Sequence, residues 1–420
     1  MIRTALAIAA LATVFALPSQ AGAQKASDTI AIEGATLRSA SGTQEGVSIV
    51  IKKGKITAMG TSVAIPAGAT RIDGRGKVVT AGLVATATRL GMVEVNAVGY
   101  TNEGRFGGAH PIHAAFQVVD GYNPNSMVIA VARNGGITST ISSPGGGLIA
   151  GQSAWLTTGA GSVAGNTVKQ SIAMHVTLGH RASGVGHGSR GLALQKLRAL
   201  FSDAAHYAKN KAAYNRGQTR QYGAGHLDLE ALSLVLSRKI PMIVTVDRKS
   251  DIAAVLRLAK NFKLRVILQG ASESWMLAKE LAAAKIPVLL NPKSNLPGSF
   301  DQIHVVDDLA TRLSKAGVQI IISPSGDASS ARTLRQLAGL AVAHGLSWQE
   351  AFAAITTAPA EIFGVARGTL KVGVAADIVV WTGDPLELSS RAEHIIIGGI
   401  VQSQDNHQTL LLKRYRRRGK

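Results

Sequence analysis

Cysteine is absent from the 420 residues. No disulfide framework, thiolate zinc site, cysteine nucleophile or lipid-modified cysteine is therefore available. Aromatic residues make up only 4%, which leaves few stacking platforms for single-stranded nucleic acid, and no nucleic-acid motif accompanies them. Acidic residues are scarce too: 25 Asp and Glu stand against 45 Lys and Arg, a formal charge of +20. Hydrophobic residues reach 46% and charged ones only 17%. That excludes a disordered chain, because there is ample apolar mass for a core. The length fits one large domain with an accessory, or two domains.

The ends of the chain differ from its body. Residues 1–23 read as a secretory leader, with Arg3 as the positive start, an apolar run over 5–17 and a small-residue cleavage signal at Ala21-Gly22-Ala23. The run is shorter than the about 20 apolar residues that span a bilayer. The expectation is export, into a bacterial periplasm. Residues 413–420 carry six basic groups. Such a tail (406–420) either makes weak contact with an anionic membrane surface or polyanion, or is a solvated terminus.

Between the ends, the rhythm of the sequence changes twice. From 29 to 79, short β runs are broken by glycine turns such as Lys53-Gly54-Lys55 and Pro66-Ala67-Gly68, which predicts a small antiparallel sheet. Beyond Gly82, apolar strand-like runs at 128–132, 240–246, 265–268, 287–290 and 318–322 alternate with helical stretches. The helices are expected at 191–209, 227–237, 250–261, 272–284, 331–344 and 347–356. Buried strands separated by helices imply βα units and a parallel sheet. The span 81–364 is close to the about 250 residues of a (β/α)8 barrel. A doubly wound open sheet fits the rhythm as well, but no G-x-G-x-x-G follows a first strand and opens a helix. Residues 368–401 return to β character, so the two ends can pair. The expected organisation is a leader (1–23), a composite β-sandwich (24–80 with 365–405), a TIM-like (β/α)8 barrel (81–364) and a basic tail (406–420).

Several stretches near the two ends share their order with a known family. They are Lys53-Gly54-Lys55-Ile56, Ile65-Pro66-Ala67-Gly68, Asp73-Gly74-Arg75-Gly76 leading to Thr80-Ala81-Gly82-Leu83-Val84, then Gly345-Leu346-Ser347, Thr357-Ala358-Pro359-Ala360 and Gly373-Val374-Ala375-Ala376-Asp377. Together they resemble the amidohydrolase superfamily, most closely its imidazolonepropionase-like and related secreted members. The resemblance implies a TIM-like barrel beside a small β-sandwich. It also implies hydrolysis of non-peptide C–N bonds at one or two divalent metals, typically zinc, which lower the pKa of a bound water and polarise the substrate carbonyl. The family's ligands are a His-x-His pair on strand one, a histidine on each of strands five and six, an aspartate on strand eight, and often a carboxylated lysine or glutamate from strand four.

Carried over residue by residue, most of that set is missing. The strand-one pair falls on Ala87 and Arg89; alanine has no donor atom and arginine stays protonated. Strand five offers Thr245 and strand six Gln269, while Asp327 is a displaced candidate for the strand-eight aspartate. No cofactor is expected on these residues. Arg89, His175 and Asp327 are the candidates for the barrel mouth. Arg89 is placed to hold a ligand carboxylate or phosphate, or to pair with Asp327 or Glu94. His175 is an acid or base, or a hydrogen-bonded structural histidine. Three readings follow: a C–N hydrolase of cyclic amides or acyl-amino compounds with a rearranged site, an inactive homologue that binds a small anion, and an exported interaction protein acting through its tail.

Overall fold

The computed structural model describes residues 28–104, 110–182, 184 and 188–416. The expected leader and residues 417–420 of the tail lie outside the described residues. The chain enters through β1 (Thr29–Ser39), β2 (Gly42–Lys52), β3 (Lys55–Gly60), β4 (Thr70–Asp73) and β5 (Val78–Ala81). Eight further strands follow: β6 (Leu83–Thr88), β7 (Ile137–Ser142), β8 (Ile149–Thr157), β9 (Thr167–Thr177), β10 (Met242–Val246), β11 (Val266–Gly270), β12 (Val288–Leu290) and β13 (Ile320–Ile322). The chain then returns through β14 (Ile378–Trp381), β15 (Ala392–Ile397) and β16 (Ile400–Val401).

The first and last groups of strands make one eight-stranded sheet, ordered β16-β15-β14-β5-β1-β2-β3 with β4 also on β1. It is one mixed sheet where a sandwich and an antiparallel arrangement were expected. The reason is the length of β1. One half of its free edge takes β4 in parallel and the other half takes β5, also in parallel. Ile32, Ile49, Ile56 and Ile378 form the buried face.

Strands β6 to β13 form the second sheet, in chain order. It curls into a nearly closed barrel whose interior is filled by Val84, Ile141, Ile243, Ile267, Leu289 and Ile321. Strands β9 to β13 pair in parallel, as the βα rhythm predicts. The alternation fails earlier, because β8 is antiparallel to both β7 and β9. Only the short helix Val163–Asn166 intervenes between β8 and β9. The predicted strand at 128–132 is instead part of helix Met127–Asn134. A short apolar run does not distinguish the two by periodicity, and here Ile129 and Ala132 bury one helix face.

Among the described residues, β6 and β13 do not pair, and the seam between them is filled by a wedge. The Val84 N–H donates to the Ile355 carbonyl at 2.9 Å and the Ile322 N–H to the Ala354 carbonyl at 3.1 Å. The Ser323 hydroxyl adds a bond to the Thr86 carbonyl at 2.5 Å. Helix Thr357–Phe363 leaves this wedge with Pro359 in its first turn, where no N–H is needed, and inserts Ala360 and Phe363 into the bottom of the barrel.

The tail segment His407–Arg416 is a helix with no buried residue. Asn406 caps it by accepting the Thr409 N–H at 3.0 Å, and Lys413 reaches Asp405 at 2.6 Å. Among the described residues, no helix is long and apolar enough to cross a membrane.

The wedge makes a demand on one glycine. Gly368 has φ +68°, and a Cβ there would stand 2.3 Å from the Thr356 carbonyl oxygen. Gly373 has φ +89° with open space around it. Gly373→Ala is expected to lose only the about 1–2 kcal/mol of a left-handed alanine. Gly368→Ala is expected to lose at least about 2 kcal/mol more, since backbone must move as well. Urea midpoints of the two variants, compared with the parent, measure the difference.

Candidate functional site

The strand C-termini of the barrel open into a cavity of about 650 Å³. Alternation along the strands decides what faces it. His175 pairs with Ile243, and Thr245 with both Thr177 and Gln269. Ile243 and Ile267 point into the barrel core, so residues two further along each strand form the next layer up. That layer consists of Thr177, Thr245, Gln269 and Asn291, and all four line the cavity. Thr177, Thr245 and Gln269 have no side-chain hydrogen bond among the described residues, whereas Asn291 donates to the Pro324 carbonyl at 3.2 Å. The mouth is thus ringed by neutral hydrogen-bonding groups.

Charge enters from the rim. Arg89 lies just past β6, and its side chain passes between two glycines. A Cβ on Gly145 would stand 2.7 Å from its Nη2, and one on Gly104 would stand 3.0 Å from its Cδ. The Gly145-Gly146-Gly147 turn therefore makes room for a guanidinium. Ala87 occupies a bulge in the β6–β7 pairing at φ 53° and packs its methyl among Val84, Ile141 and Trp155.

Asp247, two residues beyond Thr245, is the carboxylate at the mouth, and it is buried. The Ser272 hydroxyl donates to it at 2.9 Å and itself accepts from Gln302 Nε2 at 3.1 Å. Arg181 approaches from the solvent side, its Nε 3.7 Å from Asp247 Oδ2. The turn that carries Arg181 is held from behind, where Arg190 contacts both Asp251 and Asp301 and Asp301 accepts the His180 N–H at 2.9 Å. Burial pushes the Asp251 carboxyl up.

His175 lies on β9, the fourth barrel strand, and lines the cavity. It is buried, and burial alone lowers its pKa to about 3. The imidazole is therefore neutral and is no proton donor at ordinary pH. Its Nε2 has no hydrogen-bond partner among the described residues, and neither do Trp155 Nε1 on β8, Ser139 Oγ on β7 and Thr86 Oγ1 on β6. Buried polar atoms are normally satisfied by protein or ordered water; of these four residues, His175 alone lines the cavity.

Arg89 and His175 thus share one cavity. Asp327 does not join them: it is exposed at the head of the turn Ala328–Thr333 and is not among the residues lining the mouth. Strand β13 ends at Ile322, and the chain then turns away through Ser325 and Gly326, both at positive φ. The mouth candidacy of Asp327 is corrected accordingly. The sequence reading missed Asp247 and Arg181. The signal was present for Asp247, since its spacing from Thr245 keeps it on the pleat side that faces the mouth.

The donor set can be tested against a divalent ion. At the positions where the resemblance places the family's ligands, this chain has Ala87, Arg89, Thr245 and Gln269, and the residues facing the cavity add one imidazole and one carboxylate. Among the described residues, no three His, Cys, Asp or Glu side chains are grouped so that they could hold a metal. With two cationic guanidinium groups at the rim, these residues do not fit a zinc-type site, which takes at least three N, O or S donors from the protein.

The fold and the geometry of its mouth define a barrel protein with a composite sheet. The amidohydrolase family model matches residues 322–401. The amidohydrolase tasK of Hapsidospora irregularis is 22% identical over 85% of this chain, which spans 40% of that protein's length. Among solved structures, an amidohydrolase from Thermotoga maritima MSB8 superposes with a TM-score of 0.82 at 24% identity, over 90% of this chain and 100% of the other. Molinate hydrolase gives 0.57 at 16% identity, over 90% of this chain and 95% of the other. These likenesses show an amidohydrolase-type fold, with the family's sequence pattern over residues 322–401.

The low pKa of His175 has a consequence for stability. Between about 6.5, the ordinary value, and about 3 the unfolded chain binds a proton at His175 that the folded chain does not. Its contribution to stability is therefore whole above pH 6.5 and is lost as pH falls toward 3. His175→Gln, which keeps a neutral polar group there, is expected to flatten this part of the pH profile. Melting temperatures of parent and variant between pH 7 and pH 4 measure it.

Proposed function

We propose that the barrel mouth binds a small acyl-amino or cyclic amide compound bearing a carboxylate or phosphate, and that it does so without a divalent metal. The observation that carries this reading is the composition of the mouth. Neutral donors and acceptors (Thr177, Thr245, Gln269) form a ring, and Arg89 is seated between two glycines where a family ligand would stand. A guanidinium held in a fixed place favours a planar, bidentate anion. The unpartnered His175 Nε2 supplies a further hydrogen bond to the ligand's polar body.

Hydrolysis of a C–N bond at this mouth falls to Asp247, which takes a proton from the attacking water and returns it to the departing nitrogen. It is the ionisable oxygen base facing the cavity, and the Gln302–Ser272 relay fixes its orientation. His175 orients the ligand as a neutral acceptor or donor and supplies no proton. The resemblance to amidohydrolases and the shape of the site support a hydrolase-type substrate class; turnover itself rests on Asp247. Export to the periplasm belongs to the same proposal and rests on the pattern of residues 1–23.

Two measurements test this. After expression with zinc and manganese and then dialysis, elemental analysis is expected to find far less than one metal per chain; stoichiometric metal overturns the proposal. Titration with N-acetylated amino acids and with hydantoin carboxylates is expected to show binding that Arg89→Gln weakens by about tenfold or more, the loss of one charge-assisted bidentate contact. Where turnover accompanies binding, Asp247→Asn is expected to abolish it and leave affinity within about threefold, since a base acts on the reaction more than on ground-state binding.

A further inference from the structure

At the opposite, N-terminal end of the barrel lies a second cavity, of about 910 Å³. It sits between helix Lys249–Phe262 and helix Ala278–Ala283, beside the Thr357–Phe363 helix that stops the barrel's base. Its walls are apolar, with Leu256, Ile286, Pro287 and Ile362 among them. Its rim carries five cations, Arg238, Arg257, Lys260, Arg265 and Lys285, against two acids, Glu280 and Glu361.

Part of this charge follows from the fold. Helices run back against the strands, so their C-termini emerge on this face, and cations there answer the negative end of the helix dipole. Arg238 and Lys285 follow two such helices, and Lys260 lies in the last turn of a third. That does not account for Arg257, a turn earlier, nor for Arg265 before β11. Nor does the backbone call for cations at the loops. Arg238 and Lys285 have φ of 60° and 52°, where glycine is the unstrained choice, and Gly317 takes the corresponding turn before β13 at 82°.

Among the described residues, none of the five cations is in an ion pair, although Glu280 and Glu361 share the rim. Arg265 makes only long contacts, to the Arg238 carbonyl at 3.5 Å and the Ile362 carbonyl at 3.4 Å. Uncompensated cations around an apolar pocket attract a ligand with a negative head and an oily body. We infer that this cavity is a binding site for an amphiphilic organic anion. Arg257, Lys260 and Arg265 hold its carboxylate or phosphate, and Leu256, Ile286 and Ile362 pack its apolar part. The inference does not depend on what the mouth binds.

Decyl phosphate, kept below its aggregation threshold, is the probe, titrated calorimetrically into the intact protein. One molecule is expected to bind per chain, more weakly as salt rises. The Arg257→Glu, Lys260→Glu double variant is expected to weaken binding by about tenfold or more, because two attractions become repulsions at close range. Both residues are exposed on one helix. If that variant fails to fold, the Gln, Gln version is expected to show a smaller loss in the same direction. Arg89→Gln is expected to leave this binding unchanged, which separates it from the mouth. Equal binding of decanol overturns the inference, as does full binding by the Gln, Gln or Glu, Glu variant, or loss in Arg89→Gln. Binding to phosphatidylglycerol vesicles without binding of monomeric decyl phosphate also overturns it and assigns the face to a membrane surface.

Discussion

The barrel has a mouth because its seam is closed, and the seam is closed by two carbonyls. Ala354 and Ile355 take the Ile322 and Val84 N–H groups that direct pairing of β6 with β13 would have used. A gap left dry at that point would strand backbone donors in the core, which is more costly than any single hydrogen bond is stabilising. The wedge also explains a stretch that sequence similarity marks without giving a reason. Thr357-Ala358-Pro359-Ala360 begins the helix that leaves the seam and plugs the base with Phe363. Gly368 then lets the returning chain pass close to Thr356. A motif far from the mouth in sequence is thus a condition for the mouth's shape.

With the scaffold closed, the chemistry of the mouth turns on a few side chains. The positions on which the resemblance places the family's metal donors carry a methyl, a guanidinium, a hydroxyl and an amide. These changes act together. An arginine beside a dication is repelled, so Arg89 disfavours a filled metal site electrostatically. With Arg89 present, burying His175 as a neutral group adds no second cation, and Asp247 becomes the carboxylate that faces Arg181. On the proposed reading the mouth holds an anion beside one fixed base, with no group of three His, Cys, Asp or Glu metal donors among the described residues.

How far the sequence discloses this depends on contrast between neighbouring residues. Strands β10 to β13 are continuous apolar runs between amphipathic helices, and they are read in place. Strands β7 to β9 are rich in Ser, Thr and Gly with few long apolar runs, so neither they nor the antiparallel turn of β8 stands out. The run at 128–132 has no period that separates strand from helix, and packing of Ile129 and Ala132 decides it. For the site, Arg89, just past β6, and the strand positions His175, Thr245 and Gln269 are found from sequence and line one cavity. Asp327 is misplaced because two positive-φ residues after β13 redirect the chain. Asp247 is overlooked because a search for metal ligands does not ask which other carboxylates share their face.

The two ends of the barrel divide the protein's excess of positive charge differently. At the mouth, Arg181 faces Asp247, and behind it Arg190 contacts Asp251 and Asp301, so these cations are partly compensated. At the base, the rim cations have no such partners among the described residues. Their turns recur with the fold, since a basic residue in the left-handed region precedes β10, β11 and β12 at Arg238, Lys263 and Lys285. Repetition of one turn along a barrel places like charges side by side, and their mutual repulsion destabilises the face unless a counter-charge arrives. Binding an anion there would relieve that repulsion as well as gain contacts. A ligand at the base and a closed seam above it would then reinforce each other through Phe363, because the helix that carries this plug also lines the basic cavity.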